Sequence, residues 1–227
     1  MRLSIIVPIY NEEQTLKTLV DLLLSLDESI EIILVDDASA DSSYSILQEY
    51  GYTPNIRILH HEKNQGKGAA IRTGLELATG EYTVIQDADL EYDPHDIIKM
   101  LEVAHKNNAD AVFGSRIHNP QSGISYRRFY WGGQLLTLLA NILYGVHISD
   151  ESTCYKMVRT SLMKSLNLTC TRFEFCPELV AKLGKRRVKI YEIPISYNPR
   201  KIYEGKKIRW YDGAEAIWTL FRLRIMN

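Results

Sequence analysis

The chain has 227 residues, is 45% hydrophobic and 24% charged, and carries a net charge of −1. That profile is ordinary for a soluble globular protein, the length suits one large α/β domain before two small ones, and near-neutrality excludes bulk attraction to nucleic acid. Three cysteines without a C-x-x-C pair exclude a disulfide framework, and no run of eighteen apolar residues exists to predict a transmembrane helix.

Residues 3–10, "LSIIVPIY", read as a first strand, and residues 12–25 as a helix with Leu16, Leu19, Val20, Leu22 and Leu23 at helical spacing. "EIILVDD" (31–37) predicts a second strand. Residues 39–50 predict a helix capped by Ser39 or Asp41. "IRILHH" (56–61) is a third strand, residues 66–78 a helix ended by Gly80, and "EYTVIQD" (81–87) a fourth strand. A helix starting at Pro94 runs to about 106, and "ADAVFGS" (109–115) is a fifth strand. Further on, residues 127–143 predict an amphipathic helix with Trp131, Leu135, Leu138, Leu139 and Ile142 on one face. Residues 172–187 predict a helix entered at Pro177, 187–197 a strand, and 210–224 a last amphipathic helix. Repeated βα units imply an α/β fold, a doubly wound and mostly parallel sheet flanked by helices, in a single domain.

Ligands of such sheets bind at the carboxyl ends of the strands. Those ends carry Tyr10-Asn11-Glu12, Asp36-Asp37, Asp87-Ala88-Asp89 and Ser115-Arg116, a concentration of acids, amides and a guanidinium. In "IQDADLEYDP" (85–94), acids recur at every second position: Asp87, Asp89, Glu91 and Asp93. A solvated turn, with Asp93-Pro94 starting the next helix, is one reading. The other is a hard divalent cation, Mg²⁺ or Mn²⁺, which takes oxygen ligands and relieves the repulsion between them. The glycines of "NQGKGAAIRTG" (64–74) fit either backbone approach to an anion or a tight turn with close packing, but match neither a P-loop nor a dinucleotide fingerprint. Residues 182–209 hold ten Lys or Arg against two Glu, a segment of +8 that leaves −9 elsewhere. His60 and His61 read as a surface or half-buried pair, and Cys154 as a buried thiol.

Taken together, "SIIVPIYNEE", "ILVDDASAD", "NQGKGAAIRTG", "IQDADLEYDP", "FGSR", "FEFCPEL", "EIPISYNPR" and "EGKKIRWYDG" resemble, in this order and over roughly the whole chain, the family 2 glycosyltransferases of the GT-A fold. The branch most resembled is that of the dolichol- or polyprenyl-phosphate mannose synthases. The resemblance implies a single GT-A domain over 1–227, with a nucleotide-sugar half (1–116) and an acceptor half (117–227). It implies donor contacts from Pro8, Tyr10, Asn11 and Glu12, and from Val35 and Asp37. Asp87 and Asp89, flanking Ala88, match the D-x-D motif that binds Mg²⁺ or Mn²⁺ on the donor diphosphate. Glu91 stands at a metal position where the synthases usually have Gln. Arg116, Arg127 or Arg128, and Arg200 match phosphate-holding positions, and Lys206 falls in a basic C-terminal motif. Asp150 aligns with the acid of an Asp-x-x-Ser-Gly-Phe-Arg-Leu stretch, whereas Cys154-Tyr155-Lys156 depart from its Gly-Phe-Arg. The catalytic candidates are accordingly Asp89, Asp150 and Arg128.

The implied reaction is an inverting transfer of a hexose from a GDP- or UDP-sugar. The preferred acceptor is a polyprenyl or dolichyl phosphate, because an anionic acceptor needs cations to position it, whereas a sugar hydroxyl needs a base such as Asp150. Transfer to a hydroxyl of a cell-surface polysaccharide is the alternative within the class. A nucleotidyltransferase lacks its Gly-rich loop here, and a non-catalytic binding module leaves the intact motifs without a purpose. The expected location is cytoplasmic, with or without a peripheral position at the inner face of the membrane. Trp131, and Trp218 with Phe221, are compatible with a lipid interface, with core helices or with a homodimer contact.

Overall fold

The computed structural model describes residues 3–26, 29–120, 122–123, 127–200 and 210–226. β1 (Leu3–Ile9) and β2 (Ile30–Asp36) are almost wholly buried, as expected of continuous apolar runs at the centre of a sheet covered on both faces. Between them α1 (Leu16–Leu24) turns Leu16, Leu19, Val20 and Leu23 inward, the 3-4 spacing of one helical face. α2 (Ser43–Gln48), β3 (Ile56–His60), α3 (Lys67–Leu77), β4 (Tyr82–Ile85), α4 (His95–Asn107) and β5 (Ala111–Ser115) follow in the expected alternation. After β5 come α5 (Arg127–Tyr144), β6 (Lys156–Arg159), α6 (Thr160–Ser165), α7 (Phe175–Lys185), β7 (Ile190–Pro194) and α8 (Trp210–Ile225).

Among the described residues the strands form one seven-stranded sheet of order β3-β2-β1-β4-β6-β5-β7. β1 pairs in parallel with β2 on one side and β4 on the other, so the chain reverses its direction of winding there and opens a crevice beyond the ends of these three strands. β6 runs antiparallel between β4 and β5, while β7 is parallel to β5. β6 and α6 are not predicted from the sequence. The strand has four residues, and its first, Lys156, is fully buried, its ammonium donating to the carbonyls of Glu151 (2.6 Å) and Thr153. A lysine capped by loop carbonyls does not look like a strand in a hydrophobicity pattern.

Element ends also shift for local reasons. α2 has Ser42 at its N-cap, yet Asp41 beside it accepts the N–H of Ser43, the first helical residue, at 2.9 Å, and Ser39 and Asp41 also tie the loops after β1 and β2 together. Asn11 N–H donates to Ser39 Oγ (2.9 Å), Glu13 N–H to Asp41 Oδ2 (3.1 Å), and Ala40 N–H to Asn11 Oδ1 (2.7 Å). α7 begins at Phe175, two residues before Pro177, with Glu174 accepting from the N–H groups of Thr171 (2.6 Å) and Arg172 (2.9 Å).

Candidate active site

At the end of β2, Asp37 is buried and heavily hydrogen-bonded. Its Oδ1 is 2.7 Å from His61 Nδ1 and accepts from Gln65 N–H (2.8 Å), and its Oδ2 accepts from Gly66 N–H (2.7 Å). His61, also buried, reaches Thr73 Oγ1 at 3.0 Å through its other nitrogen, whereas His60 at the strand end is 38% exposed and pairs with Asp36 at 2.8 Å. The glycine-rich turn therefore presents two of its N–H groups to the protein's own carboxylate. Gly66 has φ +93°, and a Cβ there would collide with the Thr171 carbonyl; one on Gly68 would lie 2.9 Å from Arg172 O. The glycines are required for a tight turn and close packing, the second of the two sequence readings.

The acidic turn after β4 is built differently. Asp87 and Lys67, whose ammonium lies 2.5 Å from Asp87 Oδ1, are each about one-fifth exposed. Burial disfavours the charge on Lys67, but Asp87 beside it holds the ammonium protonated well above its usual range. Asp89 is partly buried and accepts one backbone N–H, that of Glu91, at 3.1 Å. Lost hydration first, then the charges of Asp87 and Glu91, push its carboxyl up to about 7. Glu91 accepts from Tyr197 Oη–H at 2.7 Å and from Arg200 N–H at 2.8 Å, and its carbonyl accepts from Asn198 N–H at 2.8 Å. Arg200 then reaches back, Nε to Asp89 O (2.8 Å) and Nη2 to Glu12 Oε2 (2.9 Å) and Thr15 Oγ1 (3.2 Å). Thr15 Oγ1 in turn donates to Ala88 O at 2.7 Å. The ends of β1 and β4 and the 197–200 segment are thus one connected network. Asp93 accepts from His95 N–H (3.0 Å) at the start of α4, as the sequence predicts.

On the far side of the crevice, Arg116 grips Asp150 with two fingers, Nε to Oδ2 and Nη2 to Oδ1, both at 2.7 Å, and adds its own N–H to Oδ2 at 3.1 Å. Its guanidinium also lies 4.9 Å from the centre of the Tyr197 ring. Burial raises the cost of charging Asp150, yet Arg116 more than offsets it and holds the carboxyl below the ordinary 3.8. Pro8 and Val35 are register partners on β1 and β2, and Tyr10 at the end of β1 is 39% exposed. Arg127 and Arg128 open α5 with their side chains outside the described residues, and Lys206 lies outside them altogether. Lys67, Thr15 and Tyr197 are the site members that motif reading passed over. The signal for Lys67 was its place between the two glycines of "GKG".

Whether a divalent ion fits is answered by the donor set. Among the described residues no three His, Cys, Asp or Glu side chains are grouped to hold an ion by themselves. Glu91, expected as a third ligand, has its oxygens turned to Tyr197 and Arg200. Asp87 and Asp89 remain, two carboxylates faced by Lys67, one N–H and the more distant charge of Arg200, a hard oxygen donor set that suits Mg²⁺ or Mn²⁺.

The mixed sheet opens its crevice at the switch point beside β1, where such α/β folds take their ligands, and the comparisons make the class definite. The model of the family "Glycosyl transferase family 2" matches residues 4–166, and the chain belongs to that family. It is 30% identical over 242 residues, 97% of this chain and 95% of the relative, to UDP-N-acetylglucosamine--dolichyl-phosphate N-acetylglucosaminyltransferase of Methanococcus voltae. It is 27% identical over 230 residues to the low-salt glycan biosynthesis hexosyltransferase Agl6 of Haloferax volcanii, and spans 53% of that protein's length. Other relatives are polyprenyl-phosphate sugar transferases and a dolichol-phosphate mannosyltransferase from Pyrococcus furiosus, in line with the branch resemblance. Glucosyl-3-phosphoglycerate synthase of Mycobacterium tuberculosis, crystallised with Mn²⁺, UDP and phosphoglyceric acid, shares the GT-A fold with a TM-score of 0.70 at 18% identity, over 98% of this chain and 78% of that one.

Proposed function

We propose that the protein transfers a hexose from a UDP- or GDP-sugar to the phosphate of a polyprenol or dolichol, inverting the anomeric centre. The observation that carries this reading is the Arg116–Asp150 pair. Both Asp150 oxygens are taken by the guanidinium and the carboxyl is held ionised below 3.8, so it is a poor proton acceptor. A hydroxyl acceptor needs such a base; a phosphate monoester arrives already anionic and needs only to be held. Among the relatives named above, the Methanococcus enzyme carries a dolichyl phosphate acceptor in its name.

In the reaction a phosphate oxygen of the acceptor bonds to the anomeric carbon as the bond from that carbon to the diphosphate breaks, and the nucleoside diphosphate leaves with the electron pair. Asp87 and Asp89 would hold a divalent ion, which supplies charge neutralisation to the departing diphosphate. Lys67, beside Asp87, adds a fixed positive charge on the same side. Tyr10 and the loops after β1 and β2 border the nucleoside. Asp37 shapes that pocket by holding the 64–66 turn in place. Arg200, positioned by Glu12, Thr15 and the Asp89 carbonyl, faces the diphosphate, and Arg116 orients the acceptor side. Arg127 or Arg128 and Lys206 would add cations there. In this reading Glu91 is a positioning residue for the 197–200 segment instead of a third metal ligand, and residues 1–116 and 117–227 serve donor and acceptor respectively.

A screen of radiolabelled UDP- and GDP-sugars against a short polyprenyl phosphate and a panel of sugar alcohols tests the reading. Label is expected in the polyprenyl phosphate, dependent on Mg²⁺ or Mn²⁺. Label confined to hydroxyl acceptors, and lost in Asp150→Asn, overturns it.

A further inference from the structure

Tyr197 follows β7 in the second half of the chain, and its parts are divided between the two sides of the crevice. It is buried. Its hydroxyl donates to Glu91 Oε2 at 2.7 Å, on the acidic turn after β4. Its ring meets the guanidinium of Arg116 beyond the end of β5, 4.9 Å from ring centre to Cζ. Its backbone is held independently of both. An antiparallel bridge pairs it with Tyr92, and its carbonyl accepts from Gly123 N–H at 2.8 Å. The Tyr92 ring packs beside its own at 5.1 Å between centres, and Tyr155 packs on Tyr92 at 4.8 Å. A phenol wedged in this way does not follow its two polar partners. It sets them.

Arg116 needs such a fixture. Its side chain is about one-fifth exposed, and Asp150 takes its Nε and Nη2. A two-pronged carboxylate contact fixes those nitrogens but lets the guanidinium plane tilt about the pair of bonds. A ring face against the plane removes the tilt. Nη1, the nitrogen that Asp150 does not take, is then held in one direction, and with it the charge offered to an anion. The hydroxyl adds to the effect. A phenol O–H that donates to a carboxylate is polarised, which leaves more negative charge on the ring face that Arg116 meets. Glu91 thus acts on Arg116 through the ring between them.

We propose that Tyr197 is the positioning residue for the acceptor phosphate: its ring fixes the plane of Arg116, and its hydroxyl, bonded to Glu91, holds and polarises that ring. The acidic turn of the donor side then aims the cation of the acceptor side. The phosphate in this inference rests on the lipid-phosphate reading above, whereas the Tyr197–Arg116 contact is tested without any acceptor. A cation aimed in advance costs the acceptor less ordering on binding, so its loss falls on acceptor affinity and not on the metal or the donor.

The first test is NMR of the full chain carrying isotope-labelled arginine, with Arg116 assigned from the signals missing in Arg116→Lys. Sharp, separate Arg116 side-chain signals, slow to exchange with water, are expected in the parent and in Tyr197→Phe. In Tyr197→Leu, which lacks the ring, they should merge and exchange about tenfold faster. The second test is steady-state kinetics with a short, water-soluble isoprenyl phosphate. Its KM should rise about threefold in Tyr197→Phe and about tenfold in Tyr197→Leu, while kcat, donor KM and Mn²⁺ affinity stay within about twofold. In an Arg116→Lys background, Tyr197→Leu should add less than about twofold, because an ammonium has no plane for a ring to fix. Parent-like Arg116 signals in Tyr197→Leu overturn the proposal. So does a full multiplicative loss in the double variant, or a loss shared equally by kcat, donor KM and Mn²⁺ affinity, the mark of a merely structural residue. Should Tyr197→Leu not fold, Tyr197→Phe decides, and an acceptor KM equal to the parent's overturns the proposal. Arg116 signals that respond as expected, in a chain with no turnover on any phosphate acceptor, leave the contact in place and sink the acceptor reading instead.

Discussion

Two aspartates at strand ends on either side of β1 meet opposite fates. Asp37, after β2, is well satisfied: two backbone N–H groups and the ring of buried His61 engage both of its carboxylate oxygens. Asp89, after β4, has one backbone N–H and two acidic neighbours, and its carboxyl is pushed up to about 7 by lost hydration and by their charge. Equal residue types at one sheet edge therefore do different work. The well-satisfied acid holds the protein's own turn in shape, and the under-compensated one is where an incoming cation gains most.

The largest effect should come from the under-compensated side. Asp89→Asn should lower turnover by about a thousandfold while leaving the melting temperature equal or higher, because a repelled charge is removed. Steady-state kinetics beside calorimetry would reveal the opposite pattern, a large loss of stability, if Asp89 were structural. Asp37→Asn should behave in reverse. It removes an acceptor from at least one part-buried N–H of the 64–66 turn and should cost about 1–2 kcal/mol of stability, visible as a lowered Tm.

Glu91 sharpens the contrast from within the acidic turn, since its bonds resemble those of Asp37. Glu91→Ala should raise KM for the phosphate acceptor about tenfold, leave Mn²⁺ affinity within about twofold, and be largely rescued by Glu91→Gln, which still accepts from Arg200 N–H. A loss of Mn²⁺ affinity that parallels the loss of activity would return Glu91 to the metal. The smallest effect is one of pH. A carboxyl raised in the folded state binds its proton more readily there than in the unfolded chain, so its penalty is full above about 7 and is relieved as pH falls from 7 toward 3.8. Asp150, held below 3.8, has the opposite sign: its contribution is complete above that value and drains as pH falls beneath it. Tm measured without metal should therefore rise slightly from pH 8 to 6 and fall below pH 4, and Asp89→Asn should abolish the first slope only.

The βα alternation through β5 was legible because each strand is an apolar run ended by a polar cluster, and each helix repeats its apolar residues at three and four. The strand ends that meet at the crevice followed from that alone. What pattern could not convey was which acid is already satisfied. Asp37 and Asp89 look alike in "VDDAS" and "QDADL", and only folding shows that Gln65 and Gly66 turn back onto one of them. β6 was hidden because Lys156 is buried on loop carbonyls, and Glu91 read as a metal ligand because its partners, Tyr197 and Arg200, lie more than a hundred residues away. The apolar outer faces of α5 and α8 were visible as stripes, but a stripe does not say which side of a helix is already covered.

The reversed strand has one more consequence. Because β6 runs antiparallel beside β5, with Phe113 opposite Lys156 and Gly114 N–H on the Tyr155 carbonyl at 2.8 Å, the chain leaves the sheet at Ser115 and re-enters it next door. The segment between leaves and re-enters the sheet at adjacent points and is tied elsewhere as well, Ser149 N–H to Glu192 of β7 at 2.9 Å and Tyr144 Oη–H to the Leu220 carbonyl of α8 at 2.6 Å. It carries Arg116, Asp150 and the tryptophan-bearing α5. Because its ends are adjacent, a change in the length of this excursion adds little closure entropy, while its contacts with β4, β7 and α8 limit what it can contain. In the function proposed above, exchange of that segment between relatives is a means of moving acceptor preference while the donor edge stays as it is.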